Sequence, residues 1–600
     1  MVWSQSTSCG RETDKIRYDA WLYVAGQGLD IGCGTCKVAP HATGIDILRV
    51  GAAPIADIAA DGRRLPTIAS ASLDFVYSSH FLEHVVDYEA TLAEWWRVLK
   101  VGGKLILYLP HRDFYPRIGQ SGSNTDHKHD FHPDDIKQAM WRVTKSTEDA
   151  NFDVLEDEDR NNGNEYSFFQ VFRKCEERKG QYDPWVLRRQ RLASECIRTV
   201  CISRYGAVGD NAFIASVAAL YKRNGWYVVV HTSPLGVELL RHDNNIDELH
   251  AFEMDGLYFS GTLEPFWHHL SRRYDRFVNL TQSVEGNLLP GPEHTHHSYP
   301  LDVRQRLLSV SYMERTHDIA GMHYDWSGMV FRATEAEMHS AKLLIEAYNR
   351  PLVGICLAGS GHHKVYPFQH MAVARLMLET DCSVVLFGGP DDLSYEELVV
   401  QTALALGISD KRLVRTCKDK WSIRKALSVS QQCDVLFGPE TGLLQWNAME
   451  LNHKIVMLSH SSEENLIKHW TNAVALRHQT PCGPCHRKHN DWTWCNRGGS
   501  GYAACMEFPV NTIVEALHHA LVTKEATTLR SHTTTRSDKD SNDATDDEAL
   551  GRQFDFAFAT GDGTTQHAAR TNGAASEEAT SVVERIAAHN AETRQSQISE

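Results

Sequence analysis

Three times along the chain, short apolar runs rich in β-branched residues alternate with longer stretches of helical period, and this alternation limits the fold more than any other feature. The first series runs from about Gly28 to Lys174 through "GLDIG", "GIDI", "DFVYSS" and "KLILYL", closing with "FDVLED" and "YSFFQVF". It predicts a parallel sheet with helices on both faces, finished by a hairpin. A second series begins at "TVCIS" and continues through "WYVVVH", "ELHAF" and "DRFVNL"; a third holds "LVGICL", "SVVLFGG", "CDVLFG" and "KIVMLS". Each reads as a doubly wound half, with the helix-rich segment Tyr312 to Asn349 between them. Two such halves facing a cleft are the simplest arrangement. No short-period repeat is present.

At 600 residues the chain is long enough for about three or four folded units. A hydrophobic content of 42% with 14 Trp supports real cores. The net charge of −16 speaks against a general nucleic-acid binder, which needs a surplus of Lys and Arg to neutralise phosphates. No stretch has the order of a signal peptide, and none approaches the roughly 18 apolar residues of a spanning helix. A cytoplasmic protein without a transmembrane segment is expected, with peripheral membrane contact left open. Most of the 14 Cys, such as Cys201, Cys356 and Cys382, sit singly in strand-like runs, where a thiol behaves as a small hydrophobe.

Composition also marks the joints. The charged segment 176–195, "EERKGQYDPWVLRRQRLASE", reads as a linker or connecting helix. After about Lys524 the chain turns to Thr, Ser, Ala, Asp and Gly, and Ala526 to Glu600 holds seven basic against thirteen acidic residues. Such a segment buries too little apolar surface to offset chain entropy, so a disordered acidic tail is expected over 523–600. "FDFAF" and "VVERIAAHNAE" within it read as sticky spots rather than docking motifs, although a protein partner would find this acidic tail.

The chemistry starts in "GLDIGCGTCKVAPHATGIDIL". An acid ends an apolar strand, two glycines make the turn, and a second strand ends at Asp46. Glycines let backbone approach a ligand without a Cβ in the way, and an Asp at a strand end can take both hydroxyls of a ribose. Only eleven residues separate Gly34 from Asp46, and with Pro40 among them a turn or a single helical turn is expected. Lys37 stands where the third glycine of GxGxxG belongs, which lowers NAD as the ligand.

The next fifty residues, "ADGRRLPTIASASLDFVYSSHFLEHVVDYEATLAEWWRVLKVGGKLILYLP", carry the Asp61-Gly62 pair, the Asp74 strand, the "LEH" helix and the "RVLKVGGKLIL" return. Over residues 15–175 the chain resembles the class I S-adenosylmethionine-dependent methyltransferases of the type 11 kind, a Rossmann-like domain. The resemblance implies that Asp30, Gly32 and Gly34 line the methionine end of the cofactor, Asp46 the ribose, Asp61 and Gly62 the adenine edge, and Ser79 the pocket floor. Methyl transfer asks mainly for in-line placement of the acceptor and one base. His80, His84, His111 and the "DHKHDFHP" cluster at Asp126 to Pro133 are candidates near strand ends. For His80 and His84, four apart, capping or packing is the better reading, and the cluster is read as shaping an acceptor pocket rather than holding a metal.

A second glycine turn, "RYGAVGDNAFIASV", again runs from a strand into a helix with Asp210 at its start. Its counterpart is "CDVLFGPETGLLQWNAMELNHKIVML". With "GICLAGSGHHKVYPFQHMAVA" and "VVLFGG", these resemble glycosyltransferase family 9, the heptosyltransferase-like enzymes of GT-B fold, over about residues 196–522. The resemblance implies an acceptor half at 196–345 and a donor half at 346–522. Asp210 becomes the base for an acceptor hydroxyl, with helix capping as its plain alternative. Backbone amides at Glu440, Thr441 and Gly442, opening the Leu443 helix, would hold the diphosphate of a nucleotide sugar without a metal. Lys364 is the candidate phosphate cation, and Gly359, Ser360, Gly388 and Gly389 complete the implied donor pocket. The family commonly has Asp-Thr-Gly with a His three residues beyond the Gly; here the residues are Glu440-Thr441-Gly442 and Gln445, so the donor sugar is not carried over.

Cys482, Cys485, Cys495 and Cys505 have zinc-like spacing, and a structural zinc and a packed set of thiols are both open readings. The expected function is a bifunctional transferase, using S-adenosylmethionine and a nucleotide-diphosphate sugar on a glycan, glycolipid or lipopolysaccharide-type acceptor. The alternatives are one active domain beside a binding module, or a non-enzymatic scaffold.

Overall fold

The structure, a computed structural model, describes residues 12–47, 49–50, 53–54, 56–146, 151–176, 181–253, 263–282, 300, 303, 306, 309–486, 495 and 497–534. It is an α/β protein built on three large sheets, beside a two-stranded antiparallel ribbon of Arg49–Val50 and Ala53–Pro54. The first has seven strands: β1 (Gly28–Ile31), β2 (Thr43–Asp46), β3 (Ile58–Ala59), β4 (Leu73–Ser79), β5 (Leu99–Pro110), β6 (Asn151–Arg160) and β7 (Ser167–Cys175). Their spatial order is β3-β2-β1-β4-β5-β7-β6, parallel except for β7, which runs antiparallel to β5 and β6 as the closing hairpin. The central strands β1, β4 and β5 are largely buried on both faces, with Leu105 to Leu109 wholly inside, which is why they read as continuous apolar runs. Helix Tyr88–Val98, capped by the Asp87 carboxylate on Ala90 N, covers one face by burying Leu92, Trp95 and Trp96 at helical spacing.

The second sheet holds β8 (Thr199–Arg204), β9 (Tyr227–Thr232), β10 (Glu248–Ala251) and β11 (Arg276–Asn279) in the order β10-β9-β8-β11. The third holds β12 (Leu352–Cys356), β13 (Ser383–Phe387), β14 (Leu413–Arg415), β15 (Val435–Pro439), β16 (His453–Leu458) and β17 (Ala473–Arg477), ordered β14-β13-β12-β15-β16-β17. Every pairing in both sheets is parallel. In all three sheets the order reverses beside the first strand in sequence, the place where α/β folds open a ligand crevice at the carboxyl ends of the strands.

The second and third sheets share one apolar core, in which Ile214 and Val217 of helix Asp210–Arg223 join Leu443, Leu444 and Trp446. Arg424 pins the same two lobes. Its guanidinium makes a bidentate pair with Glu337 at 2.7 Å and donates to the carbonyls of Glu238, Leu239 and Arg332. The first and second sheets are joined just as closely, by Trp21, Phe252 and Phe266 within a further shared core. Around it, Asp19 accepts from His269 at 2.9 Å and Arg273 at 3.2 Å and also pairs with Arg160. Arg273 in turn pairs with Glu156.

Within the expected linker, Trp185–Ser194 is a helix behind Pro184. Helix Val510–Thr534 runs past residue 523, where the tail is expected to begin, and its buried residues Ile513, Val514, Leu517 and Leu521 pack against the third sheet's outer core. "FDFAF" and "VVERIAAHNAE" lie outside the described residues. Among the described residues no helix is long and apolar enough to cross a membrane.

Candidate functional sites

At the carboxyl edge of the first sheet, β1 ends in Asp30 and Ile31 and the chain turns through Gly32 and Gly34, both at positive φ (74° and 51°). Residues 32–42 contain turns and bends and no helix, as the short spacing and Pro40 require. Gly32 N donates to Ile45 O at 2.9 Å and Gly34 N to Asp46 Oδ2 at 2.9 Å, so the turn and the end of β2 are stitched together. Asp30 is 1% exposed and accepts from Val38 N at 2.6 Å. Burial pushes its carboxyl up to about 7, against the pull of that N–H and of Arg17 and Lys37. Arg17 and Trp21, from the N-terminal helix Glu12–Ala20 and the residue after it, both donate to Val38 O and hold the loop from behind.

Gly62 closes one side. A Cβ there would lie 2.3 Å from Ile31 Cγ2, and its carbonyl accepts from Trp95 Nε1 at 2.8 Å. Phe81 fills the space in front of Gly32, where a Cβ would come within 2.7 Å of its ring. Ser79 ends β4 beside them. The structure thus gathers Asp30, Gly32, Gly34, Asp46, Gly62 and Ser79 on adjoining strand ends and turns. Asp61 differs: its half-exposed carboxylate is taken by Arg63 at 2.8–3.1 Å, which also holds it below the usual carboxylate range.

In the second crevice the turn after β8 meets the turn after β15. A Cβ on Gly442 would stand 2.6 Å from Gly209 N and 2.6 Å from Val208 Cβ, and Trp446 Nε1 donates to Val208 O at 2.8 Å. Asp210, next to Gly209, has Oδ1 on Arg204 Nη2 at 2.5 Å and Oδ2 on Ala207 N at 2.8 Å. Its carboxylate therefore fixes its own turn. Gln445 is buried beside Gly209, its amide nitrogen without a hydrogen-bond partner among the described residues.

Glu440 is buried. Oε1 accepts from Ser459 N at 2.9 Å and Ser461 N at 3.1 Å, and Oε2 from Ser459 Oγ at 3.0 Å, with His460 Nε2 3.1 Å away. The side chain thus clamps the loop after β16, while its carbonyl accepts from Lys364 Nζ at 3.0 Å. Gly359 makes room for that lysine, since a Cβ there would fall 2.5 Å from Lys364 Cδ. Thr441 caps the five-residue helix Gly442–Trp446. Gly388 and Gly389, after β13, bond instead to Thr416 and Asp392, Ser360 is exposed, and Leu443 packs into the shared core. Arg204 and His460 entered this crevice without a local signal in the sequence, whereas Gln445 stands at the position where the resemblance looks for a His.

Cys482, Cys485, Cys495 and Cys505 line one pocket with His363, Ser459, His460 and Arg497, directly behind the Glu440 clamp. Burial, with the neighbouring thiols, pushes Cys505 up to about 12. Among the described residues, groups of three or more ligating atoms within 4.8 Å of one another occur at Glu83, His84 and His127 and at His111, Asp113 and His132, not at these cysteines.

Residues 29–107 match the family profile described as a methyltransferase domain, and residues 265–493 that of glycosyltransferase family 9 (heptosyltransferase). No curated protein matches the chain. Among solved structures, the ADP-heptose LPS heptosyltransferase II of E. coli is similar over 55% of this chain and 99% of its own, with 17% identity and a TM-score of 0.39. A family 9 glycosyltransferase from Veillonella parvula is similar over 54% and 98%, with 13% identity and a TM-score of 0.40. An S-adenosylmethionine-dependent methyltransferase from Mesorhizobium loti is similar over 27% and 97%, with 18% identity and a TM-score of 0.22.

Proposed function

With a methyltransferase-type region and a family 9 glycosyltransferase-type region on one chain, we propose a bifunctional transferase. One half transfers methyl from S-adenosylmethionine, with Asp30, Gly32, Gly34, Asp46 and Gly62 as its donor pocket and Ser79 at the floor. The other half passes a sugar from a nucleotide-diphosphate donor to a glycan or lipopolysaccharide-type acceptor, with inversion and without a metal. The functional units are residues 15–175, 196–345 and 346–522, joined by 176–195.

The observation that carries the sugar-transfer reading is the abutment of the Gly209 and Gly442 turns, each following a strand of its own parallel sheet. An acceptor bound on the Asp210 side and a diphosphate bound on the Glu440–Gly442 side would meet there. Asp210 takes the proton of the attacking hydroxyl. The leaving diphosphate is met by the amides of Thr441 and Gly442 and by Lys364, which swings from the Glu440 carbonyl. The helix behind Gly442 has five residues, so amides and lysine rather than a helix dipole carry this charge. The Arg204 pair favours a second reading of Asp210, as a residue that only fixes the turn.

The deciding experiment incubates the protein with labelled S-adenosylmethionine and a panel of nucleotide sugars over candidate glycan acceptors. Consumption of both donors is expected. Asp210→Asn, which keeps an acceptor for Ala207 N, should lower kcat for sugar transfer about 100-fold or more while leaving methyl transfer intact. Unchanged kcat would assign Asp210 to the turn alone. If neither donor is consumed nor stabilises the fold, the bifunctional reading fails. Structural zinc at the four cysteines requires their thiols to draw closer, and metal analysis before and after chelation decides between zinc and packed thiols.

A further inference from the structure

Two of the strand-end histidines, His80 and His84, and His127 of the "DHKHDFHP" loop, none used by the proposed donor pocket, converge on one buried acid. After β4 the chain turns at His80, whose φ is 47°, into the short turn Leu82–His84. The Glu83 carbonyl accepts from Lys128 N at 2.7 Å and His129 N at 3.3 Å, and His129 Nε2 lies 3.1 Å from Val86 O. These bonds lay the loop across the turn and bring His127 over the Glu83 side chain. Glu83 is 0% exposed, and neither carboxylate oxygen has a hydrogen-bond partner among the described residues. Its Oε1 lies 3.9 Å from His84 Nε2 and 3.9 Å from His127 Nε2. A third imidazole, His80, presents Nδ1 at 3.8 Å while its Nε2 stays with Ser167 Oγ at 2.9 Å.

A buried carboxylate with no donor is costly, and 3.8–3.9 Å is too long for a hydrogen bond. It is close to the separation of ligand atoms around one ion: donors about 2.0–2.1 Å from a tetrahedral metal stand about 3.3 Å apart. We propose that Glu83, His84 and His127 form a binding site for a divalent transition metal, with Zn²⁺ the best match. Two imidazoles with one carboxylate suit Zn²⁺, whereas Mg²⁺ and Ca²⁺ take oxygen donors. His84 is 35% exposed, so the site opens on that side and keeps room for a water or a ligand oxygen. The site sits one turn from Phe81, which fronts Gly32, and so lies on the edge of the donor pocket. It stands whether or not methyl transfer does, because metal binding is measured directly.

The test uses the full chain stripped with a chelator and titrated with Co²⁺ and Zn²⁺. The Cys482→Ser/Cys485→Ser variant, which removes the other candidate zinc site, should show visible Co²⁺ bands without a thiolate charge-transfer band and bind one Zn²⁺ equivalent, which wild type also binds beside any metal its cysteines hold. His84→Ala and His127→Ala should lose those bands and bind that equivalent about 100-fold more weakly. Glu83→Gln, equal in size, should weaken it at least about tenfold; should this buried variant misfold, His84→Ala at the open edge gives the same readout. Unaltered bands and stoichiometry in both histidine variants, or bands lost only with the cysteines, would overturn the proposal.

Discussion

At the scale of single residues, both crevices are shaped by carboxylates that are occupied with holding backbone. Asp30 is neutral in the fold up to about pH 7, whereas its unfolded value is 3.8. The sign follows: the favourable balance is complete below about pH 4 and is lost as pH rises to about 7, because only the unfolded chain ionises freely in that window. Asp30→Asn keeps an acceptor for Val38 N and removes only this pH-dependent part. Denaturant titrations should find the two proteins alike at pH 4, with the variant ~2–4 kcal/mol more stable at pH 8. A difference that does not change with pH would mean that Asp30 is already ionised in the fold. Glu440 is the converse case, a buried acid with four partners. Glu440→Ala strands the amides of Ser459 and Ser461 and should cost about 2–5 kcal/mol, read as a lower Tm. Glu440→Gln retains an acceptor for both and should lose much less; equal losses would mean that the charge, rather than the bonds to the loop, is what matters.

Elements show most plainly what was legible in advance. Strands buried on both faces, such as β5 and β12, read directly as apolar runs, and the closing hairpin of β6 and β7 was equally clear. Strand β17 was not, because its residues are at best half-buried and carry no run; β3 and β14 are only two and three residues long. The helix beyond residue 510 was obscured by the polar composition that follows it, although its buried residues fall at helical spacing. Within the sites, the glycine turns were readable because backbone geometry is local. The Arg63 grip on Asp61 was not, because the rotamers of a two-residue ion pair leave no mark on periodicity, and neither was the meeting of Glu83 with His127, since periodicity carries no information about which distant side chains meet. The two glycines where the lobes touch supply a prediction at this scale. Gly442→Ala forces a methyl to 2.6 Å from Gly209 N and should part the lobes, abolishing sugar transfer with methyl transfer kept. Gly209→Ala meets nothing closer than 3.3 Å and should be tolerated to within about a factor of ten. Equal effects would show that the abutment does not control the crevice.

Across the whole molecule, the first and second sheets are welded rather than tethered. Trp21 meets Phe266 with ring centroids 5.3 Å apart, and Phe252 stacks on Phe266 at 5.0 Å. The ion network beside these rings is closed, with Arg273 serving both Asp19 and Glu156 from the second sheet's side. Asp19 is held well below the usual carboxylate range despite its burial, by His269, Arg160 and Arg273 acting together. Glu156, more completely buried, is pushed up to about 7, so Arg273 only partly meets its desolvation. Deleting that guanidinium leaves two buried acids short of a partner, a change that costs about 3–5 kcal/mol in comparable pairs. Arg273→Ala should therefore act at a distance along the sequence. Hydrogen exchange should lose protection in helix Glu12–Ala20 and in β6, which belong to the first sheet, as well as around residues 263–273 of the second. Trp21→Ala, approached from the other side, should reproduce the pattern in reverse, with lost protection in helix Leu263–Arg273. If each variant loosened only its own sheet, the two transferase regions would be independent bodies, and their fusion would serve only to keep them together.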